Sequence, residues 1–93
     1  MIINYKCKET ERIWMGFVSL KFPQNIQQVA RRKLRMLNNA KTLKDLTIPP
    51  NNRLESLKGG RRGEYSIRVN DQWRICFKWK DNHSYDIKLE DYH

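Results

Sequence analysis

Two arginines in the C-terminal half of the chain have the chemistry of a phosphate site. Arg68 and Arg74 fall in two segments whose apolar and polar residues alternate, a pattern that predicts antiparallel β-strands. If both apolar faces lie on one side of the sheet, Val69 lies opposite Trp73 and Arg68 lies opposite Arg74. Opposed like charges destabilise a sheet, whereas a phosphodiester would offset the repulsion and match the guanidinium fork. The pair predicts an anion site; the alternative is that both side chains extend into water.

A glycine-rich segment just before these strands carries three further cations. Residues 57–63 contain three glycines, which allow a ligand to approach the backbone closely, together with Lys58, Arg61 and Arg62. The segment lacks the Gly-Lys-Ser/Thr ending of a P-loop. Two interpretations stay open: a phosphate-binding loop, or a hairpin loop with solvated charges.

The chain closes with three residues that could support proton transfer, Asp91, Tyr92 and His93. Histidine titrates near pH ~6.5, and tyrosine can stack on a base or donate a hydrogen bond to phosphate. The last predicted strand would bring this tripeptide close to the sheet face that holds Arg74. The alternative is a frayed terminal histidine without a function.

The charge balance indicates the class of partner. Nineteen Lys and Arg residues against ten Asp and Glu residues give a net charge of +9 on 93 residues. A surplus of this size favours polyanions, namely RNA, DNA or an anionic membrane surface, although it could also serve solubility alone. The sequence contains neither a run of ~18 apolar residues nor a signal-peptide pattern at its start. We therefore expect one cytoplasmic domain that covers residues 1–93.

The cysteines and histidines do not suggest a metal site. Cys7 and Cys76 lie far apart in the sequence, and neither His83 nor His93 has a second ligand at the usual short spacing. We expect reduced thiols, no metal and no other cofactor.

The periodicity predicts which elements position these side chains. Residues 2–6 are a short strand candidate, and residues 10–17 predict a short helix with Ile13 and Phe17 on one side. Residues 26–37 predict an amphipathic helix whose basic residues, Arg31, Arg32, Lys33 and Arg35, form a solvated face or contact phosphates. Three strands follow, as an antiparallel meander with one buried face. This order predicts an α+β fold with the helices packed on the apolar face of the sheet.

The same argument gives the register of the second hairpin. It places Trp79 opposite Tyr85, Lys78 opposite Asp86, and Arg74 opposite Glu90. In the first hairpin it leaves residues 70–72 as a three-residue turn.

Several of these segments resemble the HigB toxins, the host-inhibition or killer proteins within the RelE-like family. They are Leu-Glu-Ser-Leu-Lys-Gly at 54–59, Gly-Glu-Tyr-Ser-Ile-Arg-Val-Asn at 63–70, Trp-Arg-Ile-Cys-Phe at 73–77 and Asp-Tyr-His at 91–93. The resemblance implies a RelE-like fold, in which two N-terminal helices pack on a small curved antiparallel β-sheet. It also implies the toxin of a type II toxin-antitoxin system, which cleaves mRNA in the A site of the 70S ribosome and so inhibits translation. The partner it implies is a HigA-like helix-turn-helix antitoxin.

The resemblance also assigns residues to the catalytic site: Lys58, Arg74, Asp91, Tyr92 and His93. Some members of the family carry a histidine a few residues before the lysine, where this chain has Glu55 and Ser56. No second histidine is therefore at hand for an acid/base pair.

The chemistry of these residues fits metal-independent cleavage of RNA by its own 2′-hydroxyl group. That reaction needs a base, cationic donors on the phosphate, and an acid for the leaving oxygen. Arg74, Lys58 and Arg68 are the candidate donors, and Arg61 and Arg62 are candidates for binding further phosphates. His93 would transfer a proton, Tyr92 would orient the base or the substrate, and Asp91 would fix the imidazole. Which group is the base and which is the acid stays open.

Two other classes of function remain. A non-catalytic RNA- or ribosome-binding protein would share the charge and the sheet. A DNA-binding module would use the basic helix, but no partner helix stands at helix-turn-helix spacing. We expect Arg74→Ala to weaken RNA binding or cleavage while leaving the melting temperature nearly unchanged.

Overall fold

Two α-helices precede a four-stranded antiparallel sheet in residues 1–91, the part of the chain that the computed structural model describes. The helices are α1 (Lys8–Trp14) and α2 (Gln24–Asn39), and the strands are β1 (Glu55–Ser56), β2 (Glu64–Arg68), β3 (Trp73–Lys80) and β4 (His83–Asp91), adjacent in that order. The predicted α+β class is confirmed. Within residues 1–91, no helix is long and apolar enough to cross a membrane.

Helix α2 contributes its apolar stripe to the core. Residues of this stripe and of β2, β3 and β4 form one hydrophobic cluster, which includes Ile26, Ala30, Leu34, Leu37, Ile67, Ile75, Phe77 and Ile87. The basic side of α2 only partly matches the predicted solvated face. Arg32 and Arg35 are exposed, but Lys33 is buried, and Arg31 Nε donates to the Ile13 carbonyl oxygen at 2.7 Å. Because Lys33 Nζ also donates to Asn52 Oδ1 at 2.6 Å, two of the four basic residues have structural partners.

Helix α1 begins and ends earlier than the periodicity predicts. Ile13 is buried as expected, whereas Phe17 lies beyond the helix and is about half exposed, so its predicted place beside Ile13 is wrong. The chain turns at Gly16, whose φ of +93° is a conformation that favours glycine. The amides of Gly16 and Phe17 donate back to the carbonyl oxygens of Ile13 and Arg12. These bonds end the helix and direct the next residues away from the core.

The predicted register of the first hairpin is confirmed. Arg68 pairs with Arg74 and Glu64 pairs with Lys78, and the amide of Val69 donates to the Trp73 carbonyl oxygen at 2.9 Å. The Asn70 side chain fixes the turn, because its Oδ1 accepts hydrogen bonds from the amides of Gln72 and Trp73.

The register of the second hairpin differs from the prediction. Arg74 pairs with Glu90 as predicted, but Lys78 pairs with Tyr85 rather than Asp86, and Trp79 pairs with Ser84 rather than Tyr85. Two features explain the shift. Asp81 and Asn82 both have positive φ, the conformation of a two-residue type I′ turn. Asp86 also has positive φ and lies at an irregularity in β4 that changes the register by one residue.

The N-terminal segment lies beside β4 and holds this irregularity. Instead of the predicted strand, Ile2 and Tyr5 form isolated parallel bridges with Ser84 and Ile87. Between the bridges, Asn4 Nδ2 donates to Asp86 Oδ1 at 2.8 Å, and the Asp86 amide donates to Asn4 Oδ1 at 3.0 Å. The shift in register therefore depends on a contact between the two ends of the chain.

Candidate active site on the polar face of the sheet

The face of the sheet opposite the hydrophobic core carries polar residues that are buried at its centre. Ser66 and Cys76 are fully buried, and Arg74 is only 7% exposed. The segment 53–61 contacts this face: β1 extends the sheet beside β2, the Arg53 carbonyl oxygen accepts from Arg74, and the Arg61 side chain reaches Glu90 of β4. Buried polar groups require partners, so the contacts of this face determine what it can do.

Arg74 is held by neighbours on three segments. Its Nε donates to Ser66 Oγ at 2.8 Å, and its Nη2 donates to the Ser66 carbonyl oxygen at 3.3 Å and to the Arg53 carbonyl oxygen. The carboxylate of Glu55 lies 4.0 Å from Nη1. These contacts fix the plane of the guanidinium group, which makes it a rigid cation rather than a solvated one. The interpretation that both paired arginines extend into water is therefore wrong for Arg74.

The Arg53 carbonyl oxygen is itself positioned by buried side chains. Arg53 has a left-handed backbone conformation, with φ of +44°, and follows the 3₁₀ turn Pro50–Asn52. Asn52 is fully buried; its Nδ2 donates to the carbonyl oxygens of Leu46 and Ile48, and its Oδ1 accepts from Lys33 Nζ at 2.6 Å. Burial, and then the charges of Arg32 and Arg68, lower the pKa of Lys33. The polar site is thus tied to α2 through Asn52.

A cluster of charges lies beside Arg74 around Glu90. Glu90 accepts from Arg61 Nη1 at 2.8 Å and from Lys88 Nζ at 2.9 Å, and the Cys76 thiol donates to it at 3.4 Å. Burial raises the pKa of Glu90, but these three donors outweigh burial and lower it to about 2. Burial and the Glu90 charge raise the pKa of Cys76 to about 11. At neutral pH Glu90 is therefore ionised and the thiol is protonated.

The other predicted phosphate-binding residues lie in different settings. Arg61 also pairs with Glu64 at 3.2 Å, so two carboxylates hold it on the polar face. Arg68 lies opposite Arg74 and forms an ion pair with Asp71, whose side chain is fully exposed in the turn. Lys58 and Arg62 are exposed on either side of the 3₁₀ turn Gly59–Arg61.

The end of β4 leads toward the C-terminal tripeptide. Asp91 pairs with Trp73 in the sheet and accepts from Gln72 Nε2 at 3.1 Å. It lines an open cavity of about 420 Å³ whose other walls include Lys21 and Lys88. Tyr92 and His93 lie outside the described residues, so their predicted roles stay predictions. Among residues 1–91, no three His, Cys, Asp or Glu side chains cluster in a way that could hold a metal ion.

Sequence reasoning missed the residues that hold Arg74. Ser66 is a diagonal neighbour of Arg74 across β2 and β3, so the correctly predicted register could have indicated this contact. The Arg53 carbonyl oxygen and Glu55 belong to a segment whose path over the sheet has no sequence signature. Because these contacts bury Arg74, the expected neutrality of Arg74→Ala toward stability no longer holds.

The comparisons with known proteins agree with this fold. A family model described as the RelE-like toxin of the type II toxin-antitoxin system HigB matches residues 8–93. The chain belongs to this family. This HigB-like toxin is 43% identical over 68 residues to Toxin HigB-1 of Vibrio cholerae. The alignment covers 73% of this chain and 72% of that protein. It is 44% identical over 41 residues to Endoribonuclease HigB of Proteus vulgaris, 44% of this chain and 45% of that protein.

A solved structure shares the fold. The YoeB-YefM complex from Staphylococcus aureus contains a chain that aligns with a TM-score of 0.61 at 19% identity, over 100% of this chain and 95% of that one. The family model and the two named relatives confirm the resemblance of the sequence to the HigB toxins.

Proposed function

We propose that this HigB-like toxin is an endoribonuclease that cleaves mRNA in the A site of the ribosome and thereby inhibits translation. The observation that carries the proposal is the buried, multiply bonded guanidinium of Arg74 on the polar face of the sheet. A relative that bears the name endoribonuclease supports the same activity. The family description supports an antitoxin as the partner, which we take to be a HigA-like helix-turn-helix protein in the cytoplasm.

The proposed reaction is an attack of the RNA 2′-oxygen on the adjacent phosphorus. The new bond forms a 2′,3′-cyclic phosphate while the bond from phosphorus to the 5′-oxygen breaks. A base accepts the proton of the 2′-hydroxyl group, and an acid supplies a proton to the 5′-oxygen. The products are a 2′,3′-cyclic phosphate end and a 5′-hydroxyl end, and the reaction uses no metal ion.

Arg74 would stabilise the negative charge that develops on the phosphate. A cation fixed before the substrate arrives needs little reorganisation in the transition state, which makes it more effective than a mobile one. Lys58 and Arg68 would add charge beside it, and the exposed Arg62 together with Arg61 would bind neighbouring phosphates.

His93 would carry one of the two proton transfers, with Tyr92 and Asp91 orienting it. Glu90 is a poor alternative base, because a carboxylate with a pKa of about 2 holds a proton weakly. A site with one histidine would be slow on free RNA, and positioning of the message by the ribosome would make it fast enough.

The test is the cleavage of a defined message by purified toxin, with and without programmed 70S ribosomes, with both product ends identified. We expect cuts in codon phase only on the ribosome, ending in a 2′,3′-cyclic phosphate. A matched message with 2′-deoxyribose at the mapped position should resist cleavage.

Each part of the proposal can fail separately. Cleavage of free RNA at the same rate would contradict ribosome dependence. Products with a 3′-hydroxyl and a 5′-phosphate would contradict attack by the 2′-oxygen. Binding to the ribosome without any cleavage would favour the non-catalytic alternative.

A further inference from the structure

The loop between the two helices exposes apolar side chains that the core does not use. Four of the seven exposed large apolar residues within residues 1–91 lie in residues 15–20, which we call the apolar loop. They are Met15, Phe17, Val18 and Leu20, and the Leu20 side chain is 95% exposed. Such clusters on soluble domains mark interaction surfaces.

The backbone of the apolar loop is fixed by buried polar contacts. Ser19 is buried; its amide donates to Gln27 Oε1 at 2.9 Å, and its hydroxyl donates to Glu9 Oε1 at 2.7 Å. Gln27 Nε2 in turn donates to the carbonyl oxygens of Ser19 and Phe22, at 2.7 and 2.9 Å. A loop held in this way has a fixed backbone, so a partner need not order that backbone on binding.

Two cations and one carboxylate lie beside the apolar loop. The Arg12 guanidinium lies over the Phe17 ring at 5.4 Å and 3.8 Å from Glu9 Oε1, and Lys21 is exposed directly after Leu20. The whole chain carries a net charge of +9. A partner that covers this loop should therefore combine apolar side chains with carboxylates.

The apolar side chains of the loop lie on the other side of the sheet from Arg74, although Lys21 and Phe22, which follow the loop, line the cavity that Asp91 also lines. Ile13 and Phe22, which flank the loop, belong to the same hydrophobic cluster as Ile75 and Phe77. In β3 those two residues alternate with Arg74 and Cys76, whose side chains point to the other face. Met15, Val18 and Leu20 offer neither stacking for a base nor donors for phosphate, and the Arg12 guanidinium already lies over the ring of Phe17, which disfavours RNA as the ligand.

We propose that the apolar loop is a docking site for the antitoxin, through an antitoxin segment that presents apolar side chains flanked by carboxylates. The inference rests on the proposed function in one respect, namely that the chain has an antitoxin partner. It adds the location of the contact and the chemistry that recognises it.

The test compares two variants with the wild-type toxin in binding to the purified antitoxin of the same operon. Val18→Ser/Leu20→Ser removes exposed apolar groups and leaves the Arg12–Phe17 contact in place. Ile48→Ser is the matched control, because Ile48 is 72% exposed but lies outside the loop. We expect calorimetry to show a Kd raised about 100-fold or more by the double variant and less than about threefold by the control. Cleavage on the ribosome should be unchanged in both.

Three results would overturn the proposal. The first is an unchanged Kd for the double variant. The second is loss of ribosomal cleavage with antitoxin binding intact, which would assign the loop to the ribosome. The third is a wild-type dimer in sedimentation that the double variant abolishes without changing the Kd for antitoxin, which would assign the loop to a second copy. A wild-type toxin that binds antitoxin through the loop but never cleaves RNA would contradict the proposed function and leave this inference standing.

Discussion

The polar face of the sheet and the apolar loop both depart from the usual distribution of residues, but in opposite ways. On the polar face, an arginine, a serine and a cysteine are buried. In the apolar loop, a leucine, a valine and a methionine are exposed. Burying charge and exposing apolar surface are both unfavourable unless a partner compensates for them. The partners of the polar face lie inside the chain, whereas those of the apolar loop have to come from outside.

This difference separates two ways of preparing a binding surface. The polar face is stabilised by a network in which the guanidinium of Arg74 has several acceptors. In the apolar loop, the hydrogen bonds of Ser19 and Gln27 hold the backbone, and the large apolar side chains stay exposed to solvent. Substitutions on the polar face should therefore affect folding and function together, while those in the loop should affect association alone.

Arg74→Ala should have the largest effect on stability. The substitution leaves the Ser66 hydroxyl and the Arg53 carbonyl oxygen without this donor, so we expect the free energy of unfolding to fall by about 3–5 kcal/mol. Arg68→Ala on the neighbouring strand is the control, and it should cost less than about 1 kcal/mol because its partner Asp71 is fully exposed. Urea denaturation measures both. Equal losses would contradict the distinction between a buried and a solvated arginine.

Glu90 should control the stability of the polar face in acid. Its pKa is about 2 in the folded protein against 4.5 for an ordinary glutamate, so it binds protons more weakly when folded. Its stabilisation is therefore complete above pH 4.5 and is lost as the pH falls toward 2. Between pH 4.5 and pH 2, the free energy of unfolding should fall by about 3 kcal/mol more in the wild type than in Glu90→Gln. If the urea midpoints of the two proteins fall by the same amount across this range, the charge of Glu90 does not stabilise the folded protein.

Asn52→Leu should have a smaller but clear effect. The substitution removes the acceptor of Lys33 Nζ and leaves an ammonium group buried, so we expect a loss of about 2 kcal/mol. Asn51→Leu is a matched control at the adjacent exposed position and should stay within about 0.5 kcal/mol of the wild type. Thermal denaturation measures both variants. Similar melting temperatures would show that the hydrogen bond between Lys33 and Asn52 does not stabilise the protein.

Leu20→Ser should have the smallest effect on the free toxin. Its side chain is almost fully exposed, so the free energy of unfolding should change by less than about 0.5 kcal/mol. Leu34→Ser in the core is the contrasting variant, for which a loss of several kcal/mol is expected. A marked destabilisation by Leu20→Ser would mean that the loop packs on the toxin itself.

The sequence contains enough information for the two helices, the three long strands and the register of the first hairpin, but the strand predicted at residues 2–6 is wrong and β1 is not predicted. Alternation and the turn around Asn70 correctly predict that Arg68 lies opposite Arg74. The second hairpin is mispredicted because its turn, Asp81–Asn82, uses two left-handed residues and β4 is irregular at Asp86. The Asp-Asn pair itself could have indicated a two-residue turn, because both residue types tolerate a positive φ. The contact between Asn4 and Asp86 that holds the irregularity joins the two ends of the chain and has no local signature.

The candidate site follows the same division. The residue types and the resemblance to the HigB toxins indicate Arg74 and the basic residues Arg61 and Arg68, but not Glu55 or Glu90. Neither revealed that Arg74 is buried, because its contacts with the Arg53 carbonyl oxygen and Glu55 depend on the path of the segment 53–61 beside β2 and on the left-handed backbone of Arg53. Alternation along a strand predicts which face a residue occupies, but not whether another segment covers that face.

In the proposed mechanism, the fixed guanidinium of Arg74 stabilises the phosphate during RNA cleavage. The most direct test is single-turnover cleavage of a ribosome-bound message by Arg74→Lys, which keeps the charge but not the planar fork, with Arg68→Lys as the control. Saturating toxin separates the chemical step from binding. We predict a rate reduced about 100-fold or more for Arg74→Lys and less than about tenfold for Arg68→Lys. A folded Arg74→Lys toxin that cleaves at the wild-type rate would contradict the account.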